Sequence, residues 1–282
     1  METKHICIMS TDDNPMGLKE VAEILQKGGT VGIPTETVYG LAANAYDPDA
    51  VARIFAAKGR PQDNPLIVHI ADINELPKIA AEIPETAKKL AAAFWPGPLT
   101  MVLKRTERIP AIISAGLDTV AVRMPSNEVA RAIINCSGLP LAAPSANLSG
   151  RPSPTTAKHV VDDLDGKIDA IVMSKDCSVG VESTVISLID GKKRLLRPGG
   201  ITHEQLESVI GKVEIDPSVL SSELVAEGSS PGMKYKHYAP KAQVVLVDAD
   251  FEKFRNFVNN NADEGVFALS FEGEEGFSVP TV

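Results

Sequence analysis

The chain has 282 residues and a mass of 30.0 kDa, which predicts one large domain or two unequal domains. Hydrophobic residues make up 44% and charged residues 23% of it, values typical of a globular protein with a sizeable core. Acidic residues exceed basic ones by 37 to 28, giving a formal net charge of −9. This excess argues against a protein that coats nucleic acid, but it permits a local basic pocket for a small polyanion.

Cysteine content and the N-terminal sequence limit the class of protein further. Cys7, Cys136 and Cys177 are far apart and form no CxxC pair, so neither a disulfide framework nor a zinc knuckle is indicated. The N-terminus lacks the basic start and long apolar run of a signal peptide. No stretch approaches the ~18 apolar residues of a membrane span. We therefore expect a cytoplasmic protein without a membrane partner.

Hydrophobic periodicity predicts alternating strands and helices over most of the chain. An amphipathic helix at 18–25 stops at a glycine pair, and a strand follows at 30–33. Asp47 before a proline is a typical cap for a helix that ends at Lys58. This alternation predicts an α/β fold, with a hairpin at Asp190-Gly191. Further strands are predicted at 66–70, 99–104, 119–123, 170–173, 184–189 and 194–197, and further helices at 85–94, 127–136 and 202–210.

The pattern changes near residue 216. The following residues contain Pro, Gly and Ser without periodicity and are predicted to be a linker. After the linker, a strand at 243–247, a helix at 251–258 and a strand at 266–270 give one β-α-β unit, which is small for an independent fold. We therefore expect a main domain at 1–215, a linker at 216–240 and a C-terminal unit at 241–282.

Two segments rich in hydroxyl groups follow predicted strands. Residues 34–40 carry Thr35, Thr37 and Tyr39, and strand ends of α/β sheets are where ligands bind. Taken alone, this segment fits a polar turn with a core tyrosine better. Residues 142–155 contain small Ser and Asn residues whose side chains and backbone N–H groups can hold an anion. A structural Asx or Ser turn is the alternative.

Cations lie at several of the same loop positions. Lys58 and Arg60 are two residues apart in a loop restrained by Gly and Pro, so both side chains could converge on phosphate oxygens. The Walker spacing is absent, and favourable interaction with a helix C-terminus explains both cations about equally well. Arg123 and Arg197 end apolar strands, and a partly buried arginine needs an anion from the protein or from a ligand.

These cations and hydroxyls together indicate a site that positions a polyanion and neutralises its charge, as in phosphoryl or nucleotidyl transfer. Lys234 adds a fifth cation within a proline-bounded aromatic segment, residues 231–240, that could cover a bound ligand. Neither a Ser-His-Asp spacing nor a HExxH zinc motif is present. His69, on an apolar strand, is by itself more typical of a core histidine than of a ligand.

The ordered motifs resemble those of the Sua5/YrdC family, specifically its Sua5 type. They are PTETVYGLAANA, KGRPQDNPLIVHI, FWPGPLT, VAVRMP, APSANLSGRPSPT, GVESTV, LRPGG and PGMKYKHYAP, and they cover residues 16–240 almost continuously. The resemblance implies a YrdC-like twisted mixed α/β sheet with a concave ligand face, joined to a Rossmann-like Sua5 domain. Here only one β-α-β unit follows the linker, so we expect that unit to do no more than anchor the linker segment.

The same resemblance implies the activity. ATP, L-threonine and bicarbonate (or CO2) would give L-threonylcarbamoyladenylate, pyrophosphate and water, with Mg²⁺ on the phosphates. The product would pass to the downstream machinery of tRNA t6A modification, and direct tRNA binding is not expected. An RNA-binding or ribosome-assembly factor is opposed by the negative charge. A hydrogenase-maturation type of carbamoyl-adenylate enzyme is opposed by the lack of zinc-finger cysteines and of an acylphosphatase-like region.

Site residues follow from the resemblance motif by motif. Lys58 and Arg60 are expected to act in catalysis by holding phosphates, and the linker segment is expected to close over ATP. The other expected ATP contacts are Asn64, Thr119, Ser145, Asn147, Ser153, Arg197, Tyr235 and His237. The expected L-threonine contacts are Thr37, His69, Arg123, Ala143 through its carbonyl, and Ser183, with Arg123 pairing the amino-acid carboxylate. For His69 the resemblance overturns the core interpretation. Metal ligands are not assigned.

Overall fold

The computed structural model describes residues 2–220 and 242–282. Contacts divide the chain into two compact units, Met1–Ala239 and Pro240–Val282. The first unit is built on a mixed sheet, and the second, in its described part, on a single helix. Within the described ranges, no helix has the length and apolar content that crossing a membrane requires.

Eleven strands of residues 2–220 form one mixed sheet in the order β1-β8-β2-β3-β7-β4-β6-β5-β9-β10-β11. The pairs β1–β8, β8–β2, β4–β6, β5–β9 and β10–β11 are parallel, and the others are antiparallel. This architecture confirms the predicted α/β class. The strands are β1 (Lys4–Cys7), β2 (Val31–Ile33), β3 (Gly40–Asn44), β4 (Ile67–His69), β5 (Leu99–Lys104), β6 (Thr119–Arg123), β7 (Leu141–Ala142), β8 (Ala170–Met173), β9 (Thr184–Ser187), β10 (Arg194–Arg197) and β11 (Glu214–Ile215).

Local capping signals set the helix ends as the sequence predicts. Asp47 accepts two backbone N–H groups at the start of α2, and Gly59 ends it in the left-handed region. Thr202 and Gln205 form the predicted capping box of α8. The helices are α1 (Pro15–Gln26), α2 (Pro48–Lys58), α3 (Leu76–Ile79), α4 (Glu85–Phe94), α5 (Ala111–Ser114), α6 (Glu128–Ser137), α7 (Ala157–Leu164), α8 (His203–Ile210), α9 (Pro217–Leu220) and α10 (Phe251–Asn260).

The two faces of the sheet carry different cores. Helices α1 and α6 pack together over one face, with Val31 and Ile33 beneath them. Residues from α2, α4, α7 and α8 fill the larger core on the other face. A third, small cluster lies on strands β4, β5, β6, β9 and β10, and the alternation of side chains along each strand places it opposite the larger core. The part of this face that β4, β5, β6, β9 and β10 form also carries the polar groups described below.

Predictions for the region after residue 215 were only partly correct. Asp216 donates its N–H to Leu195 and accepts from Ser218 at the start of α9, so the expected linker begins with ordered chain. The helix predicted at 251–258 is present as α10. The strands predicted at 243–247 and 266–270 are absent from the described part of the second unit, where Ala268 and Thr281 form one isolated bridge. A strand requires a paired neighbour, and sequence propensity does not supply one.

Candidate functional site

A cleft of about 700 Å³, including its open mouth, lies where parallel strands β4 and β6 end. The register pairs His69 with Arg123, so the last residues of both strands are neighbours at the same edge. The lining residues include Thr37, Arg60, Pro65, Ile67, His69, Arg123, Ala143, Ser145, Glu182, Ser183 and Arg197. Residues from six motifs that are distant in sequence are thus brought together.

Arg123 has a protein counterion. Its Nη2 lies 2.7 Å from Oε1 of Glu36, and both side chains are buried. It also donates from Nη1 to Oγ1 of Thr37 (2.8 Å) and from Nε to the carbonyl of Gly97 (3.3 Å). Burial would raise the pKa of Glu36, but the charge of Arg123 together with hydrogen bonds to the carboxylate holds that pKa below its usual value. The sequence left open whether the anion came from protein or ligand, and the structure supplies it from the protein.

His69 faces the cavity as a neutral imidazole. Burial, reinforced by the charge of Arg123, lowers the pKa of His69 to about 3. Its Nδ1 is buried and has no hydrogen-bond partner among the described residues. Placement in the cavity wall agrees with the expectation from the family resemblance rather than with an inert core histidine. A neutral ring with an open nitrogen can accept or donate one hydrogen bond to a ligand.

Hydroxyl groups and Arg197 form the opposite wall. Oγ of Ser183 lies 2.8 Å from Oγ1 of Thr100, and both residues are buried. Arg197 donates from Nε and Nη2 to the carbonyl of Ser183 at 3.1 and 2.8 Å. Burial lowers the pKa of Arg197 to about 10, so it remains a cation at neutral pH. Strands β9 and β10 therefore carry both the expected threonine contact and an expected ATP contact.

Gly199 allows this wall to form. A Cβ atom built there would lie 2.3 Å from the carbonyl oxygen of Glu182 and 2.4 Å from the backbone nitrogen of Thr184. These are backbone atoms that a side chain cannot displace by rotating. Gly200 also donates its N–H to the carbonyl of Glu182 (3.3 Å). The glycine pair in LRPGG thus fits directly against the segment that carries Ser183.

Lys58 is not in the cavity wall. It is 2% exposed, and its Nζ donates to the carbonyls of Ser145 and Asn147, the latter at 2.6 Å, and to Oδ1 of Asn147 at 3.2 Å. Burial and the nearby charge of Arg60 lower its pKa. The ammonium group thus fastens the 145–147 loop, whereas Arg60 lies in the cavity wall. The expected convergence of both cations on phosphate oxygens stays a prediction.

Arg60 lies in the cavity wall beside the start of β4. Its Nη2 contacts the carbonyls of Asn64 (3.4 Å) and Pro65 (3.0 Å). Asn64 is buried and does not line the cavity. Ser145, which does line it, forms an isolated bridge with Gly40. The loop that follows β7 is therefore fixed from one side by β3 and from the other by Lys58.

The remaining expected ATP contacts surround this wall. Asn147 donates from Nδ2 to the carbonyl of Arg151 (2.7 Å), and Ser153 donates to Oε1 of Glu182 (2.6 Å). Thr119 begins β6 and lies on the same face of that strand as Arg123. Four residues of strand separate it from Arg123 by about 13 Å. Lys234, Tyr235 and His237 lie outside the described residues.

Three polar residues that line or support the site were not predicted as site residues. Glu36 is the counterion of Arg123, Glu182 lines the cavity, and Thr100 supports Ser183. The signal for Glu36 was present, because a buried arginine requires an anion and Glu36 is adjacent to Thr37. Thr100 reads as an ordinary strand residue, and only the pairing of β5 with β9 reveals its contact.

Comparisons with known proteins identify the family. The model for Sua5, YciO and YrdC, described as telomere recombination, matches residues 23–199. A model described as the C-terminal domain of threonylcarbamoyl-AMP synthase matches residues 201–277.

Relatives agree with both matches. Threonylcarbamoyl-AMP synthase of Pyrococcus abyssi (strain GE5 / Orsay) is 53% identical over 238 residues, or 84% of this chain and 70% of that protein. The protein of that name from Bacillus subtilis (strain 168) is 48% identical over 98% of this chain and 81% of its own length. A crystal structure of P. abyssi Sua5 complexed with L-threonine has a TM-score of 0.89 at 44% identity, over 100% of this chain and 83% of that chain. This chain, which shares their fold, belongs to the Sua5/YrdC family.

Proposed function

We propose that this protein synthesises L-threonylcarbamoyladenylate from L-threonine, bicarbonate and ATP, with release of pyrophosphate. One observation carries the proposal: a single cavity brings Thr37, His69 and Arg123 next to Arg60 and Arg197. One end has the donors and acceptors that a zwitterionic amino acid requires, and the other has guanidinium groups suited to phosphate. The names of the relatives agree with this chemistry.

The reaction consists of two bond-forming steps. The amine nitrogen of threonine bonds to the carbon of bicarbonate, and a hydroxyl leaves as water with a proton from the amine. The resulting carbamate oxygen then bonds to the α-phosphorus of ATP while the bond from that phosphorus to the pyrophosphate oxygen breaks. The protein forms no covalent intermediate in this scheme. Its contribution is to hold two anions in line and to stabilise charge on the leaving pyrophosphate.

ATP is proposed to lie along β4 and β6, from the 145–147 loop towards the start of both strands. Arg60, Ser145 and Arg197 line the cavity and are proposed to contact the phosphates. Lys58 acts through the loop that it fastens, and Thr119 lies about 13 Å along the strand from Arg123, within reach of the far part of a bound nucleotide. Asn64, Asn147, Ser153, Tyr235 and His237 complete the proposed ATP contacts, the last two within residues that the structure does not describe.

L-threonine is proposed to bind at the end of β4 and β6. Thr37, His69, Ala143 and Ser183 line this end of the cavity together with Arg123. Because three contacts with the protein already engage Arg123, only part of its five-N–H guanidinium remains for a substrate carboxylate. The neutral His69 provides a hydrogen-bonding position that does not repel the substrate amine.

Magnesium fits the site as an ion carried by ATP. The described residues contain no group of three or more His, Cys, Asp or Glu side chains that could hold a metal. Glu182 lines the cavity and would supply one carboxylate, which is sufficient because Mg²⁺ with nucleotides is bound mainly by phosphates and water. Bound there, the ion would reduce negative charge on the pyrophosphate.

The wider assignments belong to the same proposal. The product is passed to the downstream t6A machinery in the cytoplasm, without direct tRNA binding by this chain. Residues 1–215 carry the catalysis, 216–240 form a segment that covers ATP, and 241–282 form the C-terminal unit.

Pyrophosphate release tests this function directly. We expect release only when threonine, bicarbonate, ATP and magnesium are all present, and a threonylcarbamoyladenylate product by mass spectrometry. Serine in place of threonine is the matched substrate control and should give less product. Turnover that ignores threonine would contradict the proposal.

A further inference from the structure

A buried ion pair lies between the floor of the cavity and the loop that follows β2. The Glu36 and Arg123 side chains are 6% and 4% exposed, and Oε1 of Glu36 is 2.7 Å from Nη2 of Arg123. Arg123 ends β6, whereas Glu36 lies between β2 and β3. The pair therefore connects two parts of the sheet that strand pairing does not connect directly.

Glu36 is fixed independently of this ion pair. Its backbone carbonyl accepts the N–H of Val179 (2.7 Å), and the carbonyl of Thr37 accepts that of Gly180 (3.1 Å). The loop is thus fastened to the segment that leads to Ser183. Since the carboxylate is attached to a fixed backbone, it can hold the guanidinium in one orientation. Thr37 Oγ1 and the Gly97 carbonyl restrain the same group from two further directions.

The two ends of the cavity differ in how their cations are held. Lys58 and Arg197 are hydrogen-bonded to backbone carbonyls, which are neutral. The carboxylates nearest to them, Asp163 and Glu182, act on their pKa but form no ion pair with them within 4 Å among the described residues. Arg123 is paired with a full negative charge. ATP is a polyanion, whereas threonine at neutral pH is a zwitterion with no net charge. A buried cation without a counterion would attract any small anion, so a compensated arginine suits the zwitterion better.

We propose that Glu36 is a positioning and specificity residue of the threonine subsite, which orients Arg123 and cancels its charge so that free inorganic anions do not compete with the amino acid. The proposal rests on the proposed synthase activity. It assigns to Glu36 no contact with the reacting atoms.

The isosteric variant Glu36→Gln tests the charge. We expect its KM for threonine to rise at least about tenfold, because the guanidinium loses the close charge–charge contact that orients it. We also expect inorganic sulfate to become a competitive inhibitor against threonine. The KM for ATP should stay within about twofold, since the ATP end keeps its contacts. A merely structural role would not produce new competition between sulfate and threonine.

Two further variants separate charge from position. Glu36→Asp keeps the charge and shortens the side chain, so it should raise the KM for threonine without sulfate competition. Asp169→Asn is the matched control. Asp169 forms an ion pair of 2.7 Å with Arg53, and neither residue lines the cavity. Its removal should lower stability and leave sulfate sensitivity unchanged.

The proposal is overturned if E36Q has the wild-type KM for threonine and shows no sulfate competition. It is also overturned if E36Q raises the KM for ATP as much as the KM for threonine. If E36Q does not fold, the Glu36→Asp variant carries the test. A folded Glu36→Asp variant with a raised KM for threonine supports the positioning role, and one with wild-type KM for threonine overturns it. A wild-type chain that makes no adenylate contradicts the proposed function instead, because every Glu36 comparison is made relative to an active wild type.

Discussion

The two ends of the cavity stabilise buried cations in different ways. Next to the nucleotide end, carbonyl oxygens of the main chain surround Lys58, and Arg197 in the cavity wall donates to the carbonyl of Ser183. At the amino-acid end, a carboxylate pairs with Arg123. Carbonyl dipoles offset part of the desolvation cost without removing the charge, whereas a carboxylate removes it. The difference shows that a count of cations in the sequence does not give the charge of a site.

The strongest test of the carbonyl-held end is Lys58→Ala. Its ammonium is the donor to the carbonyls of Ser145 and Asn147, and its loss leaves buried acceptors unpaired. We expect the free energy of unfolding to fall by about 3 kcal/mol and turnover to fall at least ~100-fold. Chemical denaturation and pyrophosphate release measure the two effects. Lys58→Arg is the conservative control, and unchanged stability with full activity would show that the loop does not depend on this contact.

Arg60→Ala removes a cation from the cavity wall itself. Removing one preorganised donor to developing charge costs about 100-fold in turnover, and we expect at least that. Circular dichroism should show that the fold is retained. Lys89→Ala, which removes an exposed cation on α4, is the control and should leave turnover unchanged. An undiminished rate in Arg60→Ala would remove the phosphate role from this residue.

At the amino-acid end, His69 should make the free energy of unfolding depend on pH. The pKa of His69 is about 3 in the folded state and near 6.5 when unfolded, so stability is fully present above pH 6.5 and is lost as pH falls towards 3. Between pH 6.5 and 5 the loss should be about 1.5 kcal/mol. The pKa of Glu36 lies below its usual value, so this carboxylate stays ionised in that window. Urea titrations of wild type and His69→Gln at pH 6.5 and pH 5 measure this loss of unfolding free energy. An equal loss in both proteins would show that His69 does not cause it.

Thr119→Val is the mildest change and defines how far the nucleotide end extends. Loss of one neutral hydrogen bond costs about 1 kcal/mol, so the KM for ATP should rise roughly two- to tenfold. The KM for threonine should stay the same, because Arg123 lies about 13 Å further along β6. An effect on threonine alone would reverse the proposed direction of ATP along the strands.

Sequence patterns were sufficient where structure is determined locally. Helix α2 follows from the Asp47 cap, the proline after it and the terminal Gly59, and β5 and β6 follow from their apolar, β-branched residues. Strand β3 was not predicted, because Gly40–Asn44 has no β-branched residue and is largely buried, so it shows no alternation. The strands predicted after residue 242 failed for the opposite reason. Their propensity is high, but pairing is a property of the whole sheet.

The sequence predicted which residues form the site better than it predicted how their side chains are oriented and paired. Motifs placed Thr37, His69, Arg123 and Ser183 in one pocket, and the structure brings them together. The orientation of Lys58 was not predictable, since it depends on carbonyls 87 and 89 residues away in the chain. The pairing of Glu36 with Arg123 has the same origin, because it spans the sheet rather than a local segment.

The close fit at Gly199 has a mechanical consequence. Backbone of β9 and of the turn after β10 meet with no space for even a methyl group, and Arg197 is hydrogen-bonded across the same junction to Ser183. These two strands must therefore shift together, and neither Ser183 nor Arg197 can retreat alone.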